Sequence, residues 1–512
     1  MTYATESLWR ATHQVQQSSP LSGDRETDVA IVGGGVSGFT AAVLLARNGR
    51  RVAVIERDSI GSGETGNTTA HLTEAVDGRY QTLSRDFGEE NTRLVAQSKH
   101  DAINRIEMFV RDSKRNCGFS YVPGFLYAER EKDLESLANE LDAARRAGCS
   151  VSWVDEVPLP FRTVGGIRWE RQAQVHATAY LDALVQQAKD SGVRVYEQTR
   201  VLDVQEGKPC RVETDRGVVH ARNVFVAANV PVNNRVLLHT KIAAYRSYAV
   251  ALDAMALVRD KRIQDGLFWD TEDPYHYTRL QEVDGRQYLI VGGEDHRTGE
   301  ETETDARYDR LVEYAQARFG TGKPEYRWSG QIIEPVDGLP YIGRNAASRH
   351  VFVATGFSGN GITFGTLAGM IVSDLILGRR NVYADLYDAT RVKPVASAYD
   401  YVAENAPFPA HLLTDRLTTL GTEGRPVESL RPGEGGVFST EEGKLAICRD
   451  QNGVLHSLSA VCTHLACNVA WNHAEQTWDC PCHGSRFSPD GKVINGPAVS
   501  DLRWHPLPTT KR

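Results

Sequence analysis

Residues 28–56 read DVAIVGGGVSGFTAAVLLARNGRRVAVIE, and this stretch decides the fold of the first part of the chain. The apolar run at its beginning predicts a buried strand, and a second apolar run before the acidic end predicts another. Between them lies an apolar helix whose N-terminus carries three glycines in the spacing G-x-G-x-x-G. A strand, a glycine-rich turn, a helix, a second strand and an acid in this order form a dinucleotide-binding fingerprint.

The residues of this fingerprint have separate roles in binding a dinucleotide. Gly33, Gly35 and Gly38 let the backbone approach a pyrophosphate, and the N-terminus of the helix attracts its negative charge. Glu56 follows the second strand, where its carboxylate can accept hydrogen bonds from the ribose hydroxyls of an adenosine. The sequence therefore predicts an adenine dinucleotide as a cofactor.

A second informative stretch lies near the C-terminus and contains four side chains of types that bind metals. It reads CTHLAC from residue 462 and CPCHGS from residue 480. A Rieske [2Fe–2S] cluster needs two thiolates and two imidazoles, and Cys462, His464, Cys480 and His483 supply them. A zinc site could use the same ligand types, but the surrounding pattern extends far beyond four ligands. The stretch therefore predicts a Rieske cluster and one-electron chemistry.

The composition argues against several other classes of protein. The 512 residues carry a net charge of −8 and show no cluster of Lys and Arg, which argues against a nucleic-acid surface. The N-terminus has no apolar export segment, so we expect a cytoplasmic protein. The apolar segment 361–377 is short for a membrane span and contains Asp374, which favours a buried core helix.

Further motifs carry a family resemblance. Up to about residue 395, the chain resembles the D-amino-acid-oxidase/glycine-oxidase superfamily of FAD enzymes. Together with the C-terminal segment, the whole chain is similar to bacterial FAD-dependent oxidoreductases fused to a C-terminal Rieske domain. The matching segments are Gly33–Glu56, Gly61–Thr73, Val175–Asp203, Trp328–Gly343 and Phe352–Leu377.

The resemblance implies an α/β FAD-binding Rossmann-like domain, an α+β substrate domain of the glycine-oxidase type and an all-β Rieske domain. A stretch rich in proline after residue 391 predicts the connection to the Rieske domain. We expect a leader at 1–27, the oxidoreductase at 28–395, a linker at 396–425 and the Rieske domain at 426–512. Within the oxidoreductase, FAD-binding segments at about 28–100, 172–243 and 325–395 alternate with substrate-domain segments at about 101–171 and 244–324.

The resemblance also implies which residues contact FAD. Independently, the turn at 356–363 presents several backbone N–H groups at the start of an apolar helix, which suits the negative charge of a reduced flavin. His71 allows two interpretations, since some relatives attach FAD through a histidine in this loop, whereas other histidines only hydrogen-bond near the ring. The residues expected at FAD are Gly33, Gly35, Val36, Ser37, Gly38, Glu56, Arg57, Thr65, Gly66, Thr68, Thr69, His71, Val201, Ala228, Gly356, Phe357, Gly359, Asn360, Gly361, Ile362 and Thr363.

For the substrate, the resemblance implies transfer of a hydride from a carbon beside nitrogen. Relatives that act on α-amino acids often carry a carboxylate-binding arginine where this chain has Ile332, which argues against a simple α-amino acid. An aromatic cage over a cationic amine is one interpretation of the aromatic residues in the substrate domain, and ordinary core packing is the other. The candidates for the substrate pocket are Arg246, Tyr248, Trp269, Tyr277 and Arg279, together with Tyr245, Tyr275 and His276.

For the cluster, resemblance to quinol-oxidising Rieske proteins implies a disulfide between Cys467 and Cys482 that ties the two ligand loops together. In that class a serine at the position of Ser485 bonds a cluster sulfur, and a tyrosine stands where this chain has Phe487. Because each lost hydrogen bond leaves the reduced cluster less stabilised, we expect a lower potential than in that class. Pro497 lies in the loop expected to cover the far side of the cluster.

A flavin accepts two electrons together, whereas a Rieske cluster carries one at a time. We therefore predict that electrons from a small amine-type substrate leave FAD through the cluster to an external acceptor, which favours a dehydrogenase. Two alternatives stay open. Electrons run inward through the cluster to FAD for a reductive or oxygen-using reaction, or the chain is a non-catalytic electron-transfer protein. The histidines outside the cluster motif show no 2-His-1-carboxylate spacing, which argues against an oxygenase iron within the chain.

Overall fold

The computed structural model describes residues 5–231, 238–301, 303–392, 426–440 and 443–507. The expected linker at 396–425 lies outside these residues. The helices in the described ranges are α1 Leu8–Thr12, α2 Val36–Arg47, α3 Glu64–Asn67, α4 Tyr80–Ser113, α5 Leu134–Arg146, α6 Ala177–Asp190, α7 Met255–Arg259, α8 Thr304–Phe319 and α9 Gly361–Leu377, with 3₁₀ turns at Glu131–Asp133, His239–Lys241 and Val427–Ser429.

Within the same ranges the strands form four sheets. In chain order they are β1 Arg25–Val32, β2 Val52–Ile55, β3 His71–Leu72, β4 Ser120–Ala128, β5 Val151–Val154, β6 Gly165–Gln174, β7 Arg194–Tyr196, β8 Val201–Gln205, β9 Cys210–Thr214, β10 Gly217–Val226, β11 Ile242–Asp253, β12 Leu267–Asp270, β13 His276–Val283, β14 Arg286–Arg297, β15 Tyr326–Pro335, β16 Tyr341–Arg344, β17 Val351–Thr355, β18 Gly435–Thr440, β19 Gly443–Arg449, β20 Leu455–Ser459, β21 Ala470–Asn472, β22 Thr477–Asp479, β23 Arg486–Phe487 and β24 Val493–Asn495.

The dinucleotide fingerprint forms the centre of the first sheet. Its strand order is β16-β17-β10-β1-β2-β7, and β9 and β8 extend it beside β10. β1 runs parallel to both β2 and β10, with Ile31 opposite Val54 on one side and Phe225 on the other. Val29, Ala30, Ile31 and Val32 are all buried, as is usual where both faces of a parallel sheet are covered, which explains the continuous apolar run in the sequence.

The second sheet has the order β15-β11-β14-β13-β12-β4-β6-β3, with β5 beside β6. Helix α8 packs across β11 and β14. It buries Tyr308, Leu311 and Phe319. These residues lie on one face of the helix because successive members are three and eight residues apart. The long antiparallel strands of this sheet bring residues from the middle of the chain to the same cavity as the fingerprint.

Helix α9 occupies Gly361–Leu377, the segment predicted as a buried core helix. It packs against α2, where a Cβ on Gly369 would lie 2.6 Å from the side chain of Thr40. Glycine at this position therefore lets the two helices approach closely. The described residues contain no helix that is both long and apolar enough to cross a membrane.

The C-terminal domain consists of two small antiparallel sheets, β18-β19-β20 and β21-β22-β23-β24. Trp471 and Trp478 lie opposite each other on β21 and β22, with ring centroids 4.7 Å apart in the domain core. The loop between β20 and β21 carries the first pair of predicted cluster ligands, and the loop between β22 and β23 carries the second. The sheets therefore hold the two ligand loops side by side.

Candidate active site and cluster site

A cavity of about 1200 Å³ is lined by the fingerprint, by the second sheet and by the C-terminal domain. It is large enough for a dinucleotide and a small substrate together. Most of the residues predicted to contact FAD line it, namely Gly33, Gly35, Val36, Ser37, Glu56, Arg57, Thr65, Thr68, Thr69, His71, Val201, Ala228, Phe357, Gly359, Asn360, Gly361 and Ile362.

Four of the predicted FAD residues, Gly38, Gly66, Gly356 and Thr363, do not line the cavity. A Cβ on Gly38 would lie 2.2 Å from the carbonyl oxygen of Gly33, and one on Gly66 would lie 1.9 Å from that of Gly61. These two glycines permit close backbone packing beneath the cavity wall, so their contribution to the site is indirect.

The start of the fingerprint leaves room for a ligand because it lacks side chains. Gly33 has a φ of 108°, and a Cβ there would lie 2.4 Å from the carbonyl oxygen of Ala227. The carboxylate of Glu56 accepts hydrogen bonds from the backbone N–H groups of Gly34 at 2.7 Å and Asp58 at 3.0 Å. These bonds fix the carboxylate in the cavity wall, although burial raises its pKa.

The turn before α9 is held by a chain of polar contacts that the sequence did not reveal. Asp77 accepts hydrogen bonds from the backbone N–H of Gly359 at 2.7 Å and from the side-chain amide of Asn360 at 3.0 Å. The buried ammonium of Lys99 donates to the Asn360 amide oxygen at 2.8 Å and to the carbonyl oxygen of Ala75 at 2.6 Å. Burial lowers the pKa of Lys99 to about 7. These contacts fix the turn. The N–H of Gly359 is used by Asp77, and those of Ser358 and Asn360 bond main-chain carbonyls, so the donors left for a reduced flavin are the other N–H groups of the turn.

His71 lies on the same cavity between two aromatic rings. Its ring centroid is 5.8 Å from that of Trp269 and 5.5 Å from that of Tyr277. Burial, together with the charge of Arg279, lowers the pKa of His71 to about 3, so the imidazole is neutral. Its buried Nε2 has no hydrogen-bond partner among the described residues. A neutral orphaned nitrogen, a glycine cradle and a fixed Glu56 together fit the predicted FAD.

The structure divides the predicted substrate residues into two groups. Trp269, Tyr277, Tyr245 and Tyr275 line the cavity, whereas Arg246, Tyr248, Arg279 and His276 do not. Tyr248 instead donates or accepts a hydrogen bond with His296 at 2.9 Å and stacks on its ring. His276 pairs with Asp270 at 3.0 Å and stacks on Tyr314.

Neither predicted arginine reaches the cavity, because each has partners elsewhere. The fully buried guanidinium of Arg279 donates to the carbonyl oxygens of Ala70 and Val175 and to the side chain of Gln281. Arg246 pairs with Glu475 of the C-terminal domain at 2.7 Å. These positions do not support the expectation that Arg246 or Arg279 binds the carboxylate of a substrate.

The part of the cavity lined by Tyr275 and Asp295 carries several acidic residues, which the sequence alone did not indicate. Asp295 accepts a hydrogen bond from the hydroxyl of Tyr275 at 3.0 Å, and its buried Oδ1 has no partner within the described ranges. Burial raises the pKa of Asp295 to about 6. The only sequence signal is the charged run EDHR at the end of an otherwise apolar strand. Asp77, Asp270, Glu272, Glu334 and Arg79 also line the cavity, and Glu272 is paired with Arg130 at 2.7 Å.

The C-terminal domain brings the four predicted cluster ligands together. Cys462 and Cys480 are both buried and their thiols hydrogen-bond, while the rings of His464 and His483 lie 4.9 Å apart at 90°. The contact between the two thiols lowers the pKa of Cys462 and raises that of Cys480, so Cys462 loses its proton first. Two adjacent thiols and two adjacent imidazoles from facing loops fit a Rieske cluster.

The surroundings of the ligands follow the expected arrangement. A disulfide joins Cys467 and Cys482, whose Cα atoms are 6.5 Å apart, and the Cys480 sulfur lies within 4.8 Å of both of its sulfurs. The predicted disulfide is therefore confirmed. Ser485 hydrogen-bonds to Cys462 and accepts a bond from the backbone N–H of Ala498 at 3.0 Å, which places the Pro497 loop against the ligands.

The oxidoreductase domain and the C-terminal domain both line the cavity. Residues 486–499 of the C-terminal domain contribute to the lining of the same cavity as the FAD fingerprint. Across this contact the guanidinium of Arg57 donates to the carbonyl oxygen of Ile494, and the amide of Asn495 donates to Glu64 at 2.9 Å. The cavity is therefore bounded by both domains of one chain.

Comparison with known proteins assigns each part separately. Residues 28–375 match the family model for FAD dependent oxidoreductases, and residues 424–506 match the Rieske [2Fe-2S] domain. YhfW of Bacillus subtilis strain 168, named as a putative Rieske 2Fe-2S iron-sulfur protein, is 30% identical over 98% of this chain and 97% of its own length.

Two other similar proteins cover the first part of the chain. Gamma-glutamylputrescine oxidoreductase of Escherichia coli K12 is 24% identical over 75% of this chain and 93% of its own length. The structure of glycine oxidase from Geobacillus kaustophilus superposes with a TM-score of 0.61 and 22% identity, covering 72% of this chain and 99% of that protein. The second likeness concerns the fold alone.

Proposed function

This chain belongs to the FAD-dependent oxidoreductase family and carries a C-terminal Rieske domain, and from that premise we propose that it oxidises a C–N bond of an amine. The electrons leave one at a time through the [2Fe–2S] cluster to an external acceptor. The observation that carries this proposal is the shared cavity, since residues of the Rieske domain line the space that also contains the FAD fingerprint.

FAD supplies the acceptor for a hydride from the carbon beside the substrate nitrogen. The protein supplies position and charge. Trp269, Tyr275 and Tyr277 form the aromatic wall of the cavity, and Asp295 offers a carboxylate oxygen that has no partner of its own among the described residues. Such a wall binds a cationic group well, because both aromatic faces and carboxylates attract positive charge.

The charges of the cavity lining indicate the class of substrate. The α-carboxylate-binding arginine of amino-acid-oxidising relatives is replaced by Ile332, and neither Arg246 nor Arg279 lines the cavity. Among the described residues that line the cavity with Asp295 are the acids Asp77, Asp270 and Glu334, together with Glu272, which Arg130 pairs, and the cation Arg79. We therefore propose an amine whose remote end carries a second positive charge, rather than a simple α-amino acid. The name of one relative, gamma-glutamylputrescine oxidoreductase, supports an amine substrate but not the second charge.

Anaerobic mixing of the purified protein with a panel of amines tests the proposal. The panel contains diamines, polyamines, methylated monoamines and α-amino acids, and flavin absorbance is followed together with the EPR signal of the reduced cluster. We expect a diamine or polyamine to bleach the flavin first and the cluster signal to grow afterwards. Asp295→Asn should weaken binding of these amines, while the reduction of FAD by light stays unchanged.

Two outcomes would contradict this function. If no amine bleaches the flavin but a chemical reductant fills the cluster and then the flavin, electrons run inward. If α-amino acids bleach the flavin faster than diamines do, the acidic lining does not select the substrate. Either result would be visible in the same experiment.

A further inference from the structure

The FAD-binding part of the chain lies directly against the cluster ligands. The ring of His239 contacts both ligand imidazoles, with centroids 5.0 Å from His464 and 6.0 Å from His483. His239 is 3% exposed and belongs to the turn that leads into β11. The edge of the cluster site that carries the two histidines therefore faces the oxidoreductase domain.

One side chain connects the two cofactor sites. Gln331 lines the FAD cavity, and its amide nitrogen donates a hydrogen bond of 2.6 Å to the carbonyl oxygen of Gly484, the residue after the ligand His483. Its backbone N–H donates to Glu64 at 2.5 Å, which holds the strand in place. Gln331 is 5% exposed, and its amide oxygen has no partner among the described residues.

The ligand loop packs closely against the oxidoreductase domain around this hydrogen bond. A Cβ on Gly484 would lie 2.3 Å from the Cβ of Ala244 and 2.7 Å from the amide nitrogen of Gln331. A Cβ on Gly299 would lie 2.6 Å from the backbone nitrogen of Pro481. Main chain of the ligand loop therefore touches main chain and short side chains of β11 and of the segment after β14.

We propose that Gln331 is a positioning residue for electron transfer within the chain. It holds the ligand loop of His483 against the FAD cavity and provides a direct hydrogen bond between the two. This inference rests on the proposed exchange of electrons between FAD and the cluster. In each transfer one electron leaves the reduced flavin and the oxidised cluster gains it, and no bond of the protein forms or breaks. A one-electron oxidant such as ferricyanide then takes that electron from the cluster, and a second cycle removes the other.

The test measures this single step without a substrate. In the holoenzyme under anaerobic conditions, FAD is reduced by a light pulse with EDTA alone, so that the excited flavin itself takes the electrons, and growth of the reduced-cluster EPR signal is timed by rapid freezing. We expect Gln331→Met to slow this growth about tenfold, because it removes the hydrogen bond and leaves the buried Gly484 carbonyl without its donor. Gln331→Glu keeps the shape but cannot donate when ionised, so it should slow the step to a similar extent.

Gln187→Met is the matched control. Gln187 is also a buried glutamine whose amide donates to a main-chain carbonyl, that of Phe109 at 3.1 Å, but it does not line the cavity. Its variant should transfer electrons at the wild-type rate. Flavin absorbance and cluster EPR spectra before the pulse show that each variant holds both cofactors. If Gln331→Met does not hold them, Gln331→Glu carries the test.

Equal rates in wild type and both Gln331 variants would overturn the inference, and so would equal slowing in the Gln187 control. Because light replaces the substrate, a failure of every amine to reduce FAD would refute the proposed reaction without affecting this measurement. Slowing of inward transfer from a pre-reduced cluster would likewise support the connection, because the same contact couples the two sites in either direction.

Discussion

Removing the charge of Glu475 is expected to destabilise the contact between the two domains. One carboxylate oxygen of Glu475 lies 2.7 Å from Arg246 and also bonds Arg486, and the other bonds Ser329. The side chains of Arg246, Glu475 and Arg486 are 1%, 9% and 6% exposed. Arg486 keeps a second carboxylate, Asp479 at 3.0 Å, whereas Nε and Nη1 of Arg246 have no partner within the described ranges. Glu475→Gln therefore removes the carboxylate that contacts the buried Arg246 guanidinium and leaves it only the longer-range attraction of Glu64.

Two estimates of the folding free energy lost in Glu475→Gln agree. Burial disfavours the Glu475 carboxylate, but the charges of Arg246 and Arg486 overcome this effect and lower its pKa from 4.5 to about 2. At 1.36 kcal/mol per pKa unit this corresponds to roughly 3 kcal/mol of folding free energy. Breaking a buried ion pair by removing one partner costs about 3–5 kcal/mol. Because the pKa is lower in the folded state, this stabilisation is present above pH 4.5 and lost as the pH falls towards 2.

Urea unfolding of the holoenzyme, followed by flavin fluorescence and by the visible circular dichroism of the cluster, measures this loss. Glu213→Gln is the matched control, since Arg211 and Glu213 are also 2.7 Å apart but each is 39% exposed. Glu213→Gln should lower the free energy of unfolding by less than about 1 kcal/mol. Arg246→Met combined with Glu475→Leu should recover most of the stability, because no buried charge is then left unpaired. A loss of less than about 1 kcal/mol for Glu475→Gln, or a double variant as unstable as the single one, would refute the reasoning.

Three further predictions concern the pH dependence of amine binding, the reduction potential of the cluster and the disulfide. Because burial raises the pKa of Asp295 from 3.8 to about 6, binding of a cationic amine should weaken as the pH falls through about 6, and Asp295→Asn should remove this dependence. The same variant should stabilise the protein at neutral pH by up to roughly 3 kcal/mol, since the stability conferred by a raised carboxyl pKa is lost as the pH rises through it. Phe487→Tyr should raise the cluster potential by about 40 mV, equivalent to one hydrogen bond of about 1 kcal/mol, in an EPR-monitored titration, whereas an unchanged potential would mean that the hydroxyl does not reach the cluster. Replacing Cys467 and Cys482 by Ala opens a loop of sequence separation 15, which should cost about 3 kcal/mol and speed loss of the cluster in urea; an unchanged rate would contradict this role.

The parts of the structure that depend on short-range patterns were predictable. The fingerprint predicts a strand, helix and strand that appear as β1, α2 and β2, and the apolar segment at 361–377 appears as α9. The family and fold class inferred from the motifs are confirmed by the matches at 28–375 and 424–506. In each case a few neighbouring residues decide the conformation, because hydrophobic periodicity and glycine turns act locally.

The parts that depend on contacts distant in sequence were not predictable. Arg246 appeared to be a ligand for substrate because it is an arginine among aromatic residues, but its partner Glu475 lies 229 residues away. Asp295 reaches the cavity only through the register of β14, and Asp77 acts through a turn 282 residues further along the chain. No local pattern indicates which distant charge will be buried beside which other, so only the folded chain reveals these pairs.

One strand shows how the two halves of the chain depend on each other. On β15, Ile332 stands where amino-acid-oxidising relatives often place an arginine for the substrate carboxylate, and the adjacent Gln331 bonds the cluster loop. Both residues line the FAD cavity, but successive side chains leave a strand on opposite sides, so the same strand can face the cavity and also support a neighbouring domain. The same strand carries Ser329, which bonds Glu475. A change of substrate by introducing arginine at Ile332 is therefore expected to leave the electron route intact, because the residues that hold the Rieske domain, Gln331 and Ser329, alternate with it along the strand. Light-driven reduction of the cluster at the wild-type rate in Ile332→Arg would support this separation, and slowed reduction would show that substrate binding and electron transfer cannot be changed independently.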